Sequence, residues 1–449
     1  MFNIFDIEKK YKDELETLEE WNYLRNYYRE GNHLLDNYTV NKWNAIKSMF
    51  YGFSNWFKNY DYIIFSSTGA RKMVDSKYYD TRSDYICEYL GKDNILFVEM
   101  PSPKHYSREE TFSKRIVSER FIDFLTIIVE KLSKKRYTSP MLDKINDNYN
   151  LKINYTNIIK RFNARYKIYK ILLKMIKPKY IFLNCFYDKQ AIVKASYALD
   201  IKVIDIQHGI IGNSHSAYYS EIDLDKNYLP DYLFVFGEED KKNLKESKLF
   251  REESIYPVGN YFLEILKNNF LKDKKLSSII SQYRLSIGVS LQWPIEKDTI
   301  SFLNASAKEI PDVLFIFIPR QYEDNKYATL ALEPNIIFYP KLDCYNIIMH
   351  CSFHCTAYST CAMEAPSLGI PNILININNT TNTYMKNMFT KETTFTVDTE
   401  NTNDFIDILK KSYNFDKIKT SKSNEKYFLN SYQKNITNSL NYLMDFNDK

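Results

Sequence analysis

Short apolar runs alternate with longer amphipathic or charged stretches along most of this chain, and that alternation limits its fold more than any other feature. Tyr180-Ile-Phe-Leu183, residues 188–199 and Lys202-Val-Ile-Asp-Ile206 read as strand, helix and strand. Upstream, Asp61–Phe65 and Asn94–Val98 are predicted strands, and 108–136 and 155–177 are predicted basic amphipathic helices. The pattern restarts after residue 215, with strands at Tyr232–Phe236, Ser254–Gly259, Leu285–Leu291, Val313–Ile318 and Asn335–Tyr339. Helices are predicted over the first sixty residues, 296–309 and 343–349. A last one, near 427–446, sets Phe428, Tyr432, Ile436, Leu440 and Leu443 on one face. Strands joined through helices form parallel sheets covered on both faces. With 449 residues the chain has room for two such domains, which we expect at 1–215 and 216–449.

The most informative stretch is 350–375, His-Cys-Ser-Phe-His-Cys-Thr-Ala-Tyr-Ser-Thr-Cys-Ala-Met-Glu-Ala-Pro-Ser-Leu-Gly-Ile-Pro-Asn-Ile-Leu-Ile. A short strand ends in a polar turn, Ser359 and Thr360 open a helix, and Gly369 and Pro371 end it. The N-terminus of such a helix suits a phosphate, through backbone N–H groups and the dipole. Hydroxyls in the first turn can cap it or reach that phosphate. Glu364, one turn on, faces the same side and can accept hydrogen bonds from a ribose diol.

The second informative stretch is Val203-Ile-Asp-Ile-Gln-His-Gly-Ile-Ile-Gly212. A strand carries Gln207 and His208 to its carboxyl end, where open α/β sheets bind ligands. There Gly209 permits a sharp turn, His215 follows seven residues after His208, and an imidazole can serve as general base. The alternative is a histidine that caps the strand end and bonds backbone.

The Gln-His-Gly strand end, Pro230-Asp-Tyr-Leu-Phe-Val-Phe-Gly237, Pro257-Val-Gly-Asn260 and the Ser-Thr-x-x-x-Glu-Ala helix run in order between about 178 and 378. Together they resemble bacterial surface-polysaccharide glycosyltransferases of the GT-B fold, in which two Rossmann-like domains face a cleft. The histidine tip and hydroxyl-rich helix start are also similar to those of CDP-glycerol glycerophosphotransferases. The stretch Glu364-Ala-Pro-Ser-Leu-Gly-Ile-Pro371 resembles UDP-N-acetylglucosamine 2-epimerases. Those begin with a Gly-Thr-Arg-Pro-Glu-type loop, where this chain has Ser66-Ser-Thr-Gly-Ala-Arg71 and no Pro-Glu. They also carry a His-Pro where this chain has Ile318-Pro-Arg-Gln321.

The resemblance implies that His208 is the candidate catalytic base, and that Ser359, Thr360 and Glu364 bind a nucleotide-sugar donor. Arg320, at a strand end, adds a guanidinium suited to two phosphate oxygens, and His354 stands before the hydroxyl-rich turn. Gln207, Gly209, His215 and Arg71, with Asp75 and Asp80 near the latter, are candidates for the acceptor side. The acceptor would be an oligosaccharide or lipid-linked surface glycan. The last helix is free to cross back onto the first domain.

Helix dipoles and basic side chains can hold a departing nucleotide, so no cofactor and no metal are expected. Six cysteines cluster partly at 344–361, but without Cys-x-x-Cys spacing. Asp223-Leu-Asp225 follows no clear strand. A net charge of +5 does not by itself indicate nucleic acid. The start lacks a secretory pattern and no run is long enough to span a bilayer, so a cytoplasmic protein is expected. The basic helix at 157–177 can lie on anionic lipid, bringing peripheral contact with the inner membrane, or pack its apolar face beneath a sheet.

Overall fold

The computed structural model describes residues 3–30, 42–102, 104–212, 215–247, 249–320, 323–385, 389–390, 392–399, 402–411 and 415–447. The chain divides into two compact units, Met1–Tyr261 with Ser431–Lys449, and Phe262–Asn430. Each is a parallel sheet wound outward in both directions from its first strand.

In the first unit the strands are β1 (Tyr62–Ser67), β4 (Ile95–Met100), β5 (Ile116–Ser118), β6 (Tyr180–Leu183), β7 (Lys202–Ile206), β8 (Tyr232–Val235) and β9 (Ile255–Pro257). Their order is β5-β4-β1-β6-β7-β8-β9, and a small antiparallel hairpin, β2 (Arg71–Val74) with β3 (Lys77–Asp80), stands beside them. Alternate residues feed two cores. Ile63, Phe65, Leu96, Val98 and Ile181 point to one. Ile64, Phe97, Phe182 and Ile204 point to the other, where Tyr432, Ile436, Leu440 and Leu443 of helix Tyr432–Asn447 join them. The last helix therefore returns to the first sheet, and Tyr180 donates to the Leu443 carbonyl at 3.0 Å.

The second unit contains β10 (Leu285–Ser290), β11 (Val313–Ile318), β12 (Ile336–Phe338), β13 (Phe353–Thr356), β14 (Asn372–Asn376) and β15 (Thr394–Asp398), in the order β12-β11-β10-β13-β14-β15. β11 reads Val-Leu-Phe-Ile-Phe-Ile and is buried throughout, as a strand covered on both faces must be. The winding direction reverses between β1 and β6 in the first sheet and between β10 and β13 in the second. At such reversals, the crevice beyond the carboxyl ends is where ligands bind in open α/β sheets.

The expected division at 215/216 is corrected. β8 pairs with β7, placing Tyr232 beside Ile204, and β9 pairs with β8, so residues 216–261 complete the first sheet. The helix expected over 108–136 is confined to Arg120–Leu132, because Ile116–Ser118 adds an edge strand to β4. The helical reading of the first sixty residues holds for Ile4–Lys10, Lys12–Glu16, Trp21–Glu30 and Lys42–Met49, with 31–41 outside the described residues. In helix Tyr155–Ile176 the apolar face with Phe162, Tyr169, Leu173 and Ile176 packs into the core under the first sheet. No helix among the described residues is long and apolar enough to cross a membrane.

Candidate functional site

His208 stands just past the end of β7, one strand from the winding reversal. Gln207 holds it there: its amide donates to the Gly209 carbonyl at 2.9 Å and accepts from Phe236 N at 2.6 Å. That side chain is buried and spent on clamping the β7 tip to the β8 tip, so it positions the loop instead of meeting a ligand. Gly209 is not in the left-handed region, and a Cβ there would meet no described atom within 4 Å. The turn does not need its freedom; the glycine leaves space beside His208.

His208 Nε2 lies 3.1 Å from the Tyr187 hydroxyl, and its buried Nδ1 has no hydrogen-bond partner among the described residues. Burial, helped by the charge of Arg82, lowers its pKa to about 4. The imidazole is thus neutral and able to accept a proton throughout the neutral range. His215 shares Tyr187, with ring centroids 5.1 Å apart, but its nitrogens are engaged: Nδ1 accepts from Ala217 N at 3.2 Å and Nε2 is 3.4 Å from an Arg29 nitrogen. Burial, then Arg29 and His208, bring its pKa to about 3. Its place is to brace the loop after β7; residues 213–214 lie outside the described residues.

That loop is fastened from the N-terminal helices. Arg25 and Glu8 form a fully buried ion pair at 2.7 Å. Arg25 also donates to the Ser216 carbonyl and, at 3.0 Å, to the Tyr219 carbonyl. Asp205 supports the other side, accepting from Phe186 N at 2.9 Å and bonding the Tyr218 hydroxyl at 3.1 Å. Burial raises its pKa from 3.8 to about 8 against those two bonds. The folded state therefore holds a proton that the unfolded chain releases, and this group's stability contribution falls as pH climbs from about 4 toward 8. Asp205→Asn keeps an acceptor for Phe186 and gains a donor for Tyr218. Its stability relative to the parent, read from denaturation, is expected to be greater at pH 8 than at pH 6 by roughly 2 kcal/mol.

Arg71 is corrected as an acceptor contact. Its side chain is fully buried and pairs with Glu99 at 2.5 Å and Asp84 at 3.2 Å, and donates to Ser113. Glu99 also meets His105 at 2.9 Å, and Asp80 takes Ser66 and the Arg82 and Ser83 amides. Asp75, in the turn between β2 and β3, has a positive φ of 47°. Arg71 fixes the hairpin to the sheet and presents no charge to solvent.

In the second unit the polar turn sits beside the β10/β13 reversal. The helix is Cys361–Ser367, with Thr360 before it; the Ser359 hydroxyl accepts from Cys361 N at 3.3 Å. The Ala362 and Met363 amides close onto the Ser359 and Thr360 carbonyls. The groups left without a bond among the described residues are the amides of Ser359 and Thr360 and the exposed Thr360 hydroxyl. Gln292, following β10, accepts from Tyr358 N at 2.9 Å and so fixes the entry to the turn. Glu364 accepts from the Tyr345 hydroxyl at 2.8 Å, which orients its carboxylate. Gly369, at φ +82°, ends the helix; a Cβ there would lie 2.8 Å from the Lys417 carbonyl oxygen.

His354 is corrected as a donor ligand. It lies within β13, fully buried, with Ser290 on Nε2 and Asn372 on Nδ1, both at 2.9 Å. Burial lowers its pKa to about 4, and it ties β10, β13 and β14 together. Arg320 is exposed at the carboxyl end of β11 and makes no ion pair among the described residues. One strand separates β11 from β13, so Arg320 and Thr360 both follow the carboxyl ends of strands in the same parallel sheet. Gln321, beside it, is outside the described residues. Among the described residues no group of three or more His, Cys, Asp or Glu is placed to hold a metal. The histidine near the cysteines, His350, accepts from Asp273 N at 2.8 Å and contacts the Asn346 carbonyl at 2.7 Å.

Tyr187, Arg29, Arg82 and Asp205 were not legible as site residues. Their sequence neighbourhoods look like ordinary helix and strand, and only the parallel pairing of β6 with β7 brings Tyr187 beside His208.

No family model matches the chain, and no curated protein matches it in sequence. Solved structures do resemble it. S. aureus MnaA with UDP is 11% identical, with 86% of this chain and 97% of that one covered at a TM-score of 0.52. A UDP-N-acetylglucosamine 2-epimerase is 15% identical, with 87% and 97% covered at 0.51. The UDP-GlcNAc 2-epimerase of Neisseria meningitidis bound to UDP-GlcNAc is 14% identical, with 84% and 98% covered at 0.50. At these identities the likeness is one of fold: two Rossmann-like α/β domains of the GT-B-like kind.

Proposed function

We propose that this chain is a nucleotide-sugar enzyme, and specifically a metal-independent glycosyltransferase acting on a surface glycan, an oligosaccharide or a lipid-linked acceptor. The observation that carries the reading is His208, a neutral imidazole with one nitrogen on Tyr187 and the other unpartnered among the described residues. In this reading the second unit binds the nucleotide diphosphate. The Ser359 and Thr360 amides, the Thr360 hydroxyl and Arg320 serve its phosphates, and Glu364 serves the ribose. The acceptor hydroxyl passes its proton to His208 as its oxygen bonds the anomeric carbon. The bond from that carbon to the phosphate oxygen breaks, and the nucleotide leaves with the electron pair. Donors fixed in place stabilise that departing charge.

The solved neighbours named as epimerases support a second reading, UDP-sugar 2-epimerisation, as does the stretch Glu364–Pro371. Epimerisation removes a proton from one face of a carbon and returns one to the other, which needs two acid–base groups. The carboxylates at the strand ends of the first unit, Glu99, Glu119 and Asp205, are all buried, leaving His208, with one nitrogen unpartnered among the described residues, as the candidate. Proton NMR of the protein with UDP-N-acetylglucosamine alone in D2O separates the two. The transferase reading predicts no deuterium at C2 and no new sugar; either signal would replace it with the epimerase.

A further inference from the structure

Seven of the nineteen large apolar side chains exposed among the described residues lie on three neighbouring elements of the first unit: Phe57, Phe124, Ile127, Ile128, Leu132, Ile171 and Met175. Apolar residues scattered singly on a surface need no explanation, but a contiguous group does. Helices Arg120–Leu132 and Tyr155–Ile176 pack side by side and bury their inner faces in the same core, so their outer faces look the same way. Phe53 links the third element, the short helix Phe53–Phe57, by edge-on contacts to Phe57 at 5.4 Å and to Phe121 at 5.1 Å. On helix Arg120–Leu132 the exposed positions 124, 127, 128, 131 and 132 form one stripe at helical spacing.

The charge around this face chooses its partner. Residues 120–177 hold 14 basic and 4 acidic side chains, a net +10 in a chain whose total is +5. Asp123, one of the four acids, is already paired with Arg165. Lys131, Lys134, Lys135, Arg136, Lys167 and Lys174 are exposed along the stripe and just past its end. Apolar side chains ringed by lysines fit an anionic bilayer, where the apolar groups enter the headgroup boundary and the cations meet phosphates. A second copy of the same face would bring like charges together.

We infer that the outer face of helices Arg120–Leu132 and Tyr155–Ile176 docks this protein on anionic lipid. The docking face is not the apolar face that stands out in the sequence of the second helix, which is buried, but the opposite one. The proposal does not depend on the enzymatic reading.

Co-sedimentation of the full chain with phosphatidylglycerol–phosphatidylethanolamine vesicles tests it, with phosphatidylcholine vesicles as control. Binding is expected to the anionic vesicles only and to fall with added salt. Lys134→Glu with Lys135→Glu, and separately Leu132→Ser with Ile171→Ser, should each weaken it roughly tenfold or more. All four positions are exposed, and unchanged melting temperatures would show that the variants fold. No binding to anionic vesicles, or binding that both double variants leave unchanged, overturns the proposal. So does a dimer, seen by analytical ultracentrifugation, that Leu132→Ser with Ile171→Ser dissociates while lipid binding is absent.

Discussion

His208→Asn is expected to lower the rate of sugar transfer by roughly 10²–10⁴-fold, the range a positioned general base contributes. Nucleotide affinity should be unchanged, because His208 belongs to the first unit and the residues proposed to hold the nucleotide belong to the second. Asparagine is too short to reach Tyr187 from this position, but Gln207 clamps the loop by its own bonds, so the loop should keep its shape. The pH profile gives a second readout. An ordinary histidine would produce an acid limb near 6.5. With the His208 pKa lowered to about 4 by burial and Arg82, kcat/KM should stay level through pH 6 and fall only on approaching that value. Steady-state kinetics against pH, with calorimetry of nucleotide binding, checks both. A variant that retains full transfer would remove His208 from the chemistry.

Arg71→Met is expected to cost about 3–5 kcal/mol of stability, the range for leaving buried charges without their partner. Glu99 and Asp84 would lose the cation that both face. Burial works to raise the Glu99 pKa, yet bonds from His105 and Arg71 bring it below its ordinary value. Burial raises Asp84, with Arg71 opposing. Without Arg71 both carboxyls would take up protons more readily in the folded state. The deficit relative to the parent should therefore shrink as pH falls, since protonation removes the unpaired charge. Arg71→Met with Glu99→Gln should recover part of the loss at neutral pH. Denaturant titrations at pH 7 and pH 5 give both numbers. A loss below about 1 kcal/mol would mean that the site tolerates unpaired charge, and that the pairs do not fix the hairpin.

Strands buried on both faces were the most legible part of the chain. Tyr180–Leu183 and Val313–Ile318 fall where their uninterrupted apolar runs predict them, Lys202–Ile206 falls where its Val-Ile-x-Ile pattern does, and so does helix 296–309 with its long periodic pattern. β5 was missed because three residues at a sheet edge carry no period, and the basic run around it reads as helix. The end of the first unit was misplaced for a different reason. β8 and β9 look the same whichever sheet they join, and only pairing decides.

The candidate site divides along similar lines. His208, Thr360 and Glu364 sit at strand ends and a helix start, positions that local pattern can mark. Arg71 and His354 have the right chemistry in the wrong place: long-range partners consume them, Glu99 twenty-eight residues from Arg71 and Ser290 sixty-four from His354. Arg25 and Glu8 lie on separate helices and meet the loop after β7 some 190 residues on, a link no local pattern reveals.

Calorimetric titration of UDP into the full chain and into Glu364→Ala bears most directly on the central claim, that the turn at 359–364 binds a nucleotide. Binding to the parent is expected, with a gain in stability of roughly 2.7 kcal/mol at a hundredfold excess over Kd. Loss of a charged hydrogen-bonding group should weaken the affinity of Glu364→Ala about tenfold or more. Tyr345→Phe, which removes only the hydroxyl that orients Glu364, should fall between them. Absence of UDP binding to the parent, or equal affinity in Glu364→Ala, would contradict the account.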